Sequence, residues 1–298
     1  MMMFFPFSYN EPLFRPPSEA RSLIFQVTIG CSQNTCGFCG MYKMKRFRNR
    51  PLNDILTEIE SIPASHRPLV QRVFLGDGDG LVYPQDDLLV VLDRLGQTFP
   101  NLTRVGAYAS PNSLTTKTVA ELTALRSRKL RILYFGLESG DPDTLVLADK
   151  GFTPEQMLAL CQNARSAGLK LSITAILGLA GRRRSGEHAQ ATAAWINALS
   201  PEYFSLLTMF RRHNDAYFKK IAPLSHGEVL EEALTVVRDL NPQGTILRSN
   251  HVSNSLSLAG RYPRDHDRII AQAEAALQQA RKNPHRFNQV PDYEETNF

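Results

Sequence analysis

Thr28-Ile29-Gly30-Cys31-Ser32-Gln33-Asn34-Thr35-Cys36-Gly37-Phe38-Cys39 closes a short β-branched run and places three thiols on one loop. The chain has four cysteines, so most of its thiol chemistry is gathered here. Three clustered thiolates can hold three irons of a cubane iron–sulfur cluster and leave the fourth iron open to a ligand. A structural zinc site usually takes four ligands in two separated pairs. Only Cys36 and Cys39 form such a pair, and the nearest histidine in sequence is the distant His66. A redox Cys-x-x-Cys pair explains neither Cys31 nor the glycines around it. The remaining thiol, Cys161, lies in the apolar stretch Met157-Leu158-Ala159-Leu160-Cys161 and reads as a core residue, since free cysteine packs as a small hydrophobe.

Outward from this loop, short β-rich runs recur, each closed by glycine or a polar residue. They cover residues 23–29, 72–75, 104–109, 132–137, 171–177 and 203–207. Segments with helical spacing lie between them. Pro51 opens one with Leu52, Ile55, Ile59 and Ile62 on a single face, and Asp86 or Asp87 begins another. Thr153-Pro154-Glu155 is a cap with proline at the first helical position. Ser185-Gly186-Glu187 opens a helix that carries Ala191 and Trp195 on one face.

Six strands alternating with helices predict an α/β fold with parallel pairing and right-handed crossovers. The count fits an incomplete (β/α)6 TIM-like barrel better than a closed eight-fold one. Chemistry in such folds lies at the carboxyl ends of the strands, and the cysteine loop follows the first strand. Residues 1–21 read as an N-terminal extension and 22–209 as the barrel. Residues 210–298 read as a C-terminal helical extension covering the barrel mouth. It has helices over 228–240 and 265–282 and a short irregular stretch between them.

With 298 residues, 43% of them hydrophobic and 21% charged, the chain is long and apolar enough for a real core, which excludes wholesale disorder. No apolar run approaches the roughly 20 residues that span a bilayer, so no membrane association is expected. The apolar start, residues 1–7, is too short for a signal peptide and lacks a basic flank and cleavage site. Clustered thiols in place of a disulfide framework predict a reducing, cytoplasmic location. The net charge of +5 is concentrated in Lys43, Lys45, Arg46, Arg48 and Arg50, in Arg182-Arg183-Arg184, and in Arg211-Arg212. Such patches either attract anions, nucleic acid included, or form a solvated surface. Both readings stay open.

Cys31-x4-Cys36-x2-Cys39, with Phe38 before the last cysteine, resembles the signature of the radical S-adenosylmethionine (SAM) superfamily. The common spacing there is three residues and then two, so the extra residue before Cys36 is a departure, of a kind that variant subgroups carry. Gly76-Asp77-Gly78-Asp79-Gly80 falls where the family has a Gly-Gly-Glu-like turn that receives the amino group of SAM. Read alone, it is a glycine-rich turn. Tyr134-Phe135-Gly136-Leu137-Glu138-Ser139-Gly140, followed by Lys150-Gly151, is similar to a pattern of several branches. These are the oxygen-independent coproporphyrinogen oxidases, the methylthiotransferases and the elongator-type enzymes. Read alone, Glu138 caps the next helix. The run from Ser172 through Ile176 and Gly178 to Gly181 resembles the strand that lies along the adenine.

The resemblance implies that Cys31, Cys36 and Cys39 hold a [4Fe-4S] cluster. It implies SAM contacts at Gly76, Asp77, Gly78, Asp79, Glu138, Ser139, Ile176, Gly178 and Arg182, the last toward the SAM carboxylate. The implied chemistry is reductive cleavage of SAM to methionine and a 5′-deoxyadenosyl radical, which takes a hydrogen atom from substrate. An electron donor such as flavodoxin or ferredoxin is implied with it. Arg248-Ser249-Asn250-His251-Val252-Ser253-Asn254 gathers polar groups suited to specific hydrogen bonding. This segment is expected to bring His251 and Asn254 to the substrate, and Arg211, Arg212 and His213 are similar candidates. Three other classes remain: an RNA-modifying member of the family, motivated by the basic run 43–50; a non-catalytic iron–sulfur electron carrier; and a zinc-stabilised nucleic-acid-binding protein. The substrate itself is not legible.

Overall fold

In the computed structural model, which describes residues 7–292, the first expected strand divides in two. β1 (Leu23–Gln26) joins the main sheet, whereas β2 (Thr28–Ile29) pairs antiparallel with β3 (Arg48–Asn49). The switch falls at Val27, whose N–H donates to Gly76 O while its carbonyl accepts from Arg50 N. The other five expected strands form within two residues of their predicted bounds. They are β4 (Arg72–Gly76), β5 (Arg104–Ala109), β6 (Leu130–Glu138), β7 (Lys170–Leu177) and β8 (Tyr203–Thr208). The stretch read as irregular contributes two more, β9 (Ile246–Ser249) and β10 (Leu258–Arg261). Both are four residues long and only partly buried, too little pattern for a strand to declare itself in sequence.

The main sheet has eight strands in the order β1-β4-β5-β6-β7-β8-β9-β10. β1, β4, β5 and β6 run parallel, as do β7, β8 and β9, and β10 returns antiparallel on β9. The class is therefore α/β with a mostly parallel sheet. β1 is buried at every position, as expected of a parallel strand covered on both faces. The helices follow from ordinary start signals. α1 (Leu52–Ser61) buries Ile55 and Ile59 on one stripe, and α2 (Gln85–Thr98) buries Leu88, Val91, Leu92 and Leu95. Ser110 and Thr118 form capping boxes for α3 (Pro111–Thr115) and α4 (Val119–Ser127). α5 (Pro142–Leu147) and α6 (Pro154–Ser166) begin on proline, and α7 (Ser185–Leu199) ends at Ser200 in a left-handed conformation. α8 (Asp215–Phe218), α9 (His226–Asp239), α10 (His266–Arg281) and α11 (Pro284–Asn288) complete the chain.

Two compact units make up the chain. The first takes in the described residues up to Asn34 with Tyr42–Phe135 and Leu160–Leu171; the second takes in Thr35–Met41, Gly136–Ala159 and the described residues from Ser172 onward. In the first unit, Glu19 is fully buried at the amino end of β5. Its Oε1 accepts from Arg104 Nη2 at 2.7 Å and from the Tyr134 hydroxyl, and Ser22 Oγ donates to its Oε2. At the opposite end, Asp77 and Asp79 follow the carboxyl end of β4. Residues 1–6, most of the apolar start, lie outside the described residues. Among the described residues, no helix is long and apolar enough to cross a membrane.

Candidate functional site

In the first unit the site is built around the turn after β4. Asp77 is fully buried, and its Oδ2 accepts from Gly30 N at 2.9 Å and from Lys45 Nζ at 2.8 Å. Its own N–H donates to Thr28 Oγ1. Gly78 N donates to Gly30 O, and Cys31 Sγ donates toward Gly78 O at 3.7 Å. A Cβ on Gly78 would lie 2.7 Å from the Tyr42 ring and 2.8 Å from Cys31 Cβ, so only glycine lets the cysteine come this close. Asp79 is also fully buried, with Ser32 and Ser110 hydroxyls donating to its Oδ2. Burial pushes its carboxyl above the ordinary aspartate value, and the serine hydrogen bonds pull the other way.

In the second unit, Cys36 and Phe38 pack into a core with Ala148, Leu179, Met209, Tyr217 and Phe218, and Cys39 and Ile176 lie against it. Gly37 N donates to Ala148 O, and Asn214 Nδ2 donates to Phe38 O at 2.6 Å. A Cβ on Gly40 would fall 1.3 Å from Arg212 O. The segment that follows β8 thus braces the cysteine loop from behind. Burial pushes the Cys39 thiol up to about 11, with smaller upward contributions from Cys36 and Glu138 and a downward one from Lys150. Glu138 Oε1 pairs with Lys150 Nζ at 3.2 Å, both side chains nearly buried. Glu138 has a φ of 68°, in the left-handed region where non-glycine residues are uncommon.

Other expected residues are engaged elsewhere. Ser139 is fully buried with its hydroxyl 2.7 Å from His188 Nδ1, and Gly178 N donates to Glu232 Oε1 at 2.7 Å. Arg182, half exposed, turns its guanidinium onto Glu228. Asn254 has both ends of its amide occupied: Thr208 Oγ1 donates to Oδ1, and Nδ2 donates to Leu206 O and Ser249 Oγ. These bonds set residues 251–254 at the carboxyl end of β8. His251 Nδ1 accepts from Ser253 N at 3.2 Å, which leaves the ring proton on Nε2, and burial lowers its pKa from the usual histidine value. Arg211 pairs with Asp215 and lies over the Phe218 ring. The basic run 43–50 is not a uniform surface. Lys45 is buried on Asp77, and Arg50 is bidentate to Glu58 at 2.6 and 2.9 Å, which leaves Lys43, Arg46 and Arg48 exposed.

Lys45, Ser32, Ser110, His188 and Glu232 escaped the sequence reading. Of these, only His188 left a signal, since it shares the buried face of α7 with Thr192 and Trp195 at helical spacing. Asp77 Oδ1 and Asp79 Oδ1 are buried without a hydrogen-bond partner, an arrangement that the ammonium of a ligand would satisfy. Among the described residues, no three His, Cys, Asp or Glu side chains converge as a single metal ion requires. An iron–sulfur cluster takes each thiolate at a different iron, and by donor chemistry three thiols on one loop suit such a group.

A model of the radical SAM superfamily matches residues 25–196, more than half of the chain. The chain belongs to that superfamily, whose membership implies an iron–sulfur cluster and SAM. An uncharacterized protein of Methanocaldococcus jannaschii is 24% identical over 221 residues, covering 68% of this chain and 43% of the relative. The chain thus spans less than half the length of this curated relative. Coproporphyrinogen III oxidase from Escherichia coli superposes with a TM-score of 0.55 at 19% identity, over 72% of this chain and 52% of that one. Methylornithine synthase gives 0.51 at 13% identity, over 87% and 81%. These likenesses place the sheet in the partial (β/α)6 TIM-like barrel class of the radical SAM type.

Proposed function

We propose that the chain is a radical SAM enzyme in which Cys31, Cys36 and Cys39 hold a [4Fe-4S] cluster. When bound, that group supplies reductive cleavage of SAM to methionine and a 5′-deoxyadenosyl radical that abstracts hydrogen from substrate. The observation that carries this reading is the cysteine loop itself: three thiols on one loop after β2, with Gly78 leaving no room for a side chain beside Cys31 and Gly40 none beside Arg212. Joining Cys31 to the other two rests on their spacing and on family membership.

The residues that would receive SAM have separate tasks. Asp77 and Asp79 each keep one buried oxygen unpartnered, which suits them to accept from the SAM ammonium. Glu138 is an acceptor held by Lys150. Ile176 supplies apolar surface on the same side as the cysteine core. Arg182 would have to leave Glu228 to meet a carboxylate, so it is the weakest member of the set. His251 presents a neutral Nε2–H at the end of β8 and is the better substrate donor, since the Asn254 amide is already used. An electron donor such as flavodoxin or ferredoxin and a cytoplasmic location belong to the same reading. Burial of Lys45 and pairing of Arg50 remove part of the support for RNA.

The test is iron and sulfide content after anaerobic reconstitution of single alanine variants. Cys31→Ala, Cys36→Ala and Cys39→Ala are expected to lose the cluster and Cys161→Ala to keep it. A full cluster in any of the first three would refute the ligand set.

A further inference from the structure

Ser139, His188 and Glu232 form a buried chain that SAM contact alone does not explain. Ser139 follows Glu138, whose left-handed backbone persists only where the surroundings over-determine it. Three tethers do so: Lys150 on the carboxylate, Thr192 Oγ1 accepting from Gly140 N at 3.0 Å, and His188 on the Ser139 hydroxyl. Gly140 permits the second, because a Cβ there would lie 2.3 Å from Ala191 O on α7. Asp141 N donates to Ser139 Oγ; with the imidazole proton on Nε2, toward Glu232, the Ser139 hydroxyl is the donor to His188 Nδ1. Nε2 faces Glu232 Oε1 at 3.7 Å. That oxygen also accepts from Gly178 N, and Ser185 Oγ donates to Oε2.

The three side chains are 0%, 1% and 2% exposed, and their polar groups face one another and the neighbouring backbone and hydroxyl groups rather than an open site. Burial raises the Glu232 carboxyl above its usual range. A buried acid is a costly way to fill space that an apolar side chain would fill more cheaply, which argues for a task beyond packing. Glu232 also stands on α9, outside the residues that match the superfamily.

We propose that Glu232 and His188 are positioning residues that lock the turn after β7 to the turn after β6, through Gly178 N and Ser139 Oγ. The inference rests on the reading that these turns hold SAM. Without the chain, Ser139 is released, Glu138 relaxes to an ordinary backbone conformation, and its carboxylate leaves Lys150.

The test compares wild type, Glu232→Met, Glu232→Gln and His188→Asn by equilibrium titration with SAM, alongside thermal unfolding of the same reconstituted preparations. Glu232→Met and His188→Asn are expected to weaken SAM binding about tenfold or more, a loss of about 1.4 kcal/mol, with midpoints within about 3 °C of wild type. Glu232→Gln keeps an acceptor for Gly178 and is expected to restore most of the affinity. Unchanged affinity in Glu232→Met and His188→Asn overturns the proposal. So does a loss of affinity that only follows a collapse of thermal stability in both. If Glu232→Met does not fold, His188→Asn decides by the same criteria. A wild type that takes up no SAM removes the underlying reading, and this inference with it.

Discussion

Lys45→Met severs a buried ion pair whose cost follows from its geometry. Lys45 Nζ and Asp77 Oδ2 are 2.8 Å apart, with side chains 4% and 0% exposed. At that separation and an effective dielectric of about 20, the attraction is about 6 kcal/mol, and desolvation of both charges offsets much of it. Methionine keeps the bulk of the lysine stem but leaves the Asp77 carboxylate buried, with Gly30 N as its remaining donor on Oδ2. Removing one partner of a buried pair costs about 3–5 kcal/mol. For a chain of this size the thermal midpoint should fall by roughly 6–15 °C. Metal-free protein is the right sample, because it separates the loss of the pair from any loss of a cluster. A second variant, Lys45→Met with Asp77→Leu, should be more stable than Lys45→Met alone, since the orphaned charge is gone. A midpoint for Lys45→Met within about 2 °C of wild type, or a double variant that loses the sum of both single losses, refutes the reasoning.

Gly40→Ala places a methyl 1.3 Å from Arg212 O, so the loop cannot seat; iron retention after reconstitution should be lost while circular dichroism stays close to wild type. Asp141 caps α5 and takes hydrogen bonds from Thr144 and Arg184. Burial raises its pKa, but the Arg184 and Thr144 bonds outweigh that and leave the carboxyl below the ordinary 3.8. Its contribution is therefore present above the unfolded value and lost as pH falls through the lower folded one. Asp141→Asn should cost about 1–2 kcal/mol at neutral pH, and urea denaturation should show the gap to wild type closing below about pH 4.

The strand series was legible because β-rich runs closed by glycine or polar residues are a local pattern, and five of six expected strands kept their bounds within two residues. The division at Val27 was not, since the run 23–29 stays apolar while its hydrogen-bond partners change. β9 and β10 were missed because four partly buried residues carry no clear period. At the site, the cysteines and Gly78 announced themselves by spacing and by residue type. Lys45 did not. It sits in a basic run, and its partner Asp77 is 32 residues away, a pairing that no local pattern encodes. The same holds for Ser139 and His188, separated by 49 residues. Glu138 was read from a resemblance, but its left-handed backbone and its tethers belong to tertiary structure alone.

Reductive cleavage of SAM is the activity on which every assigned residue role depends. Reconstituted protein, reduced anaerobically with dithionite and given SAM, should form 5′-deoxyadenosine and methionine in equal amounts, and Cys39→Ala should form neither. A brown, fully loaded protein that leaves SAM intact would contradict the account and point to an electron carrier.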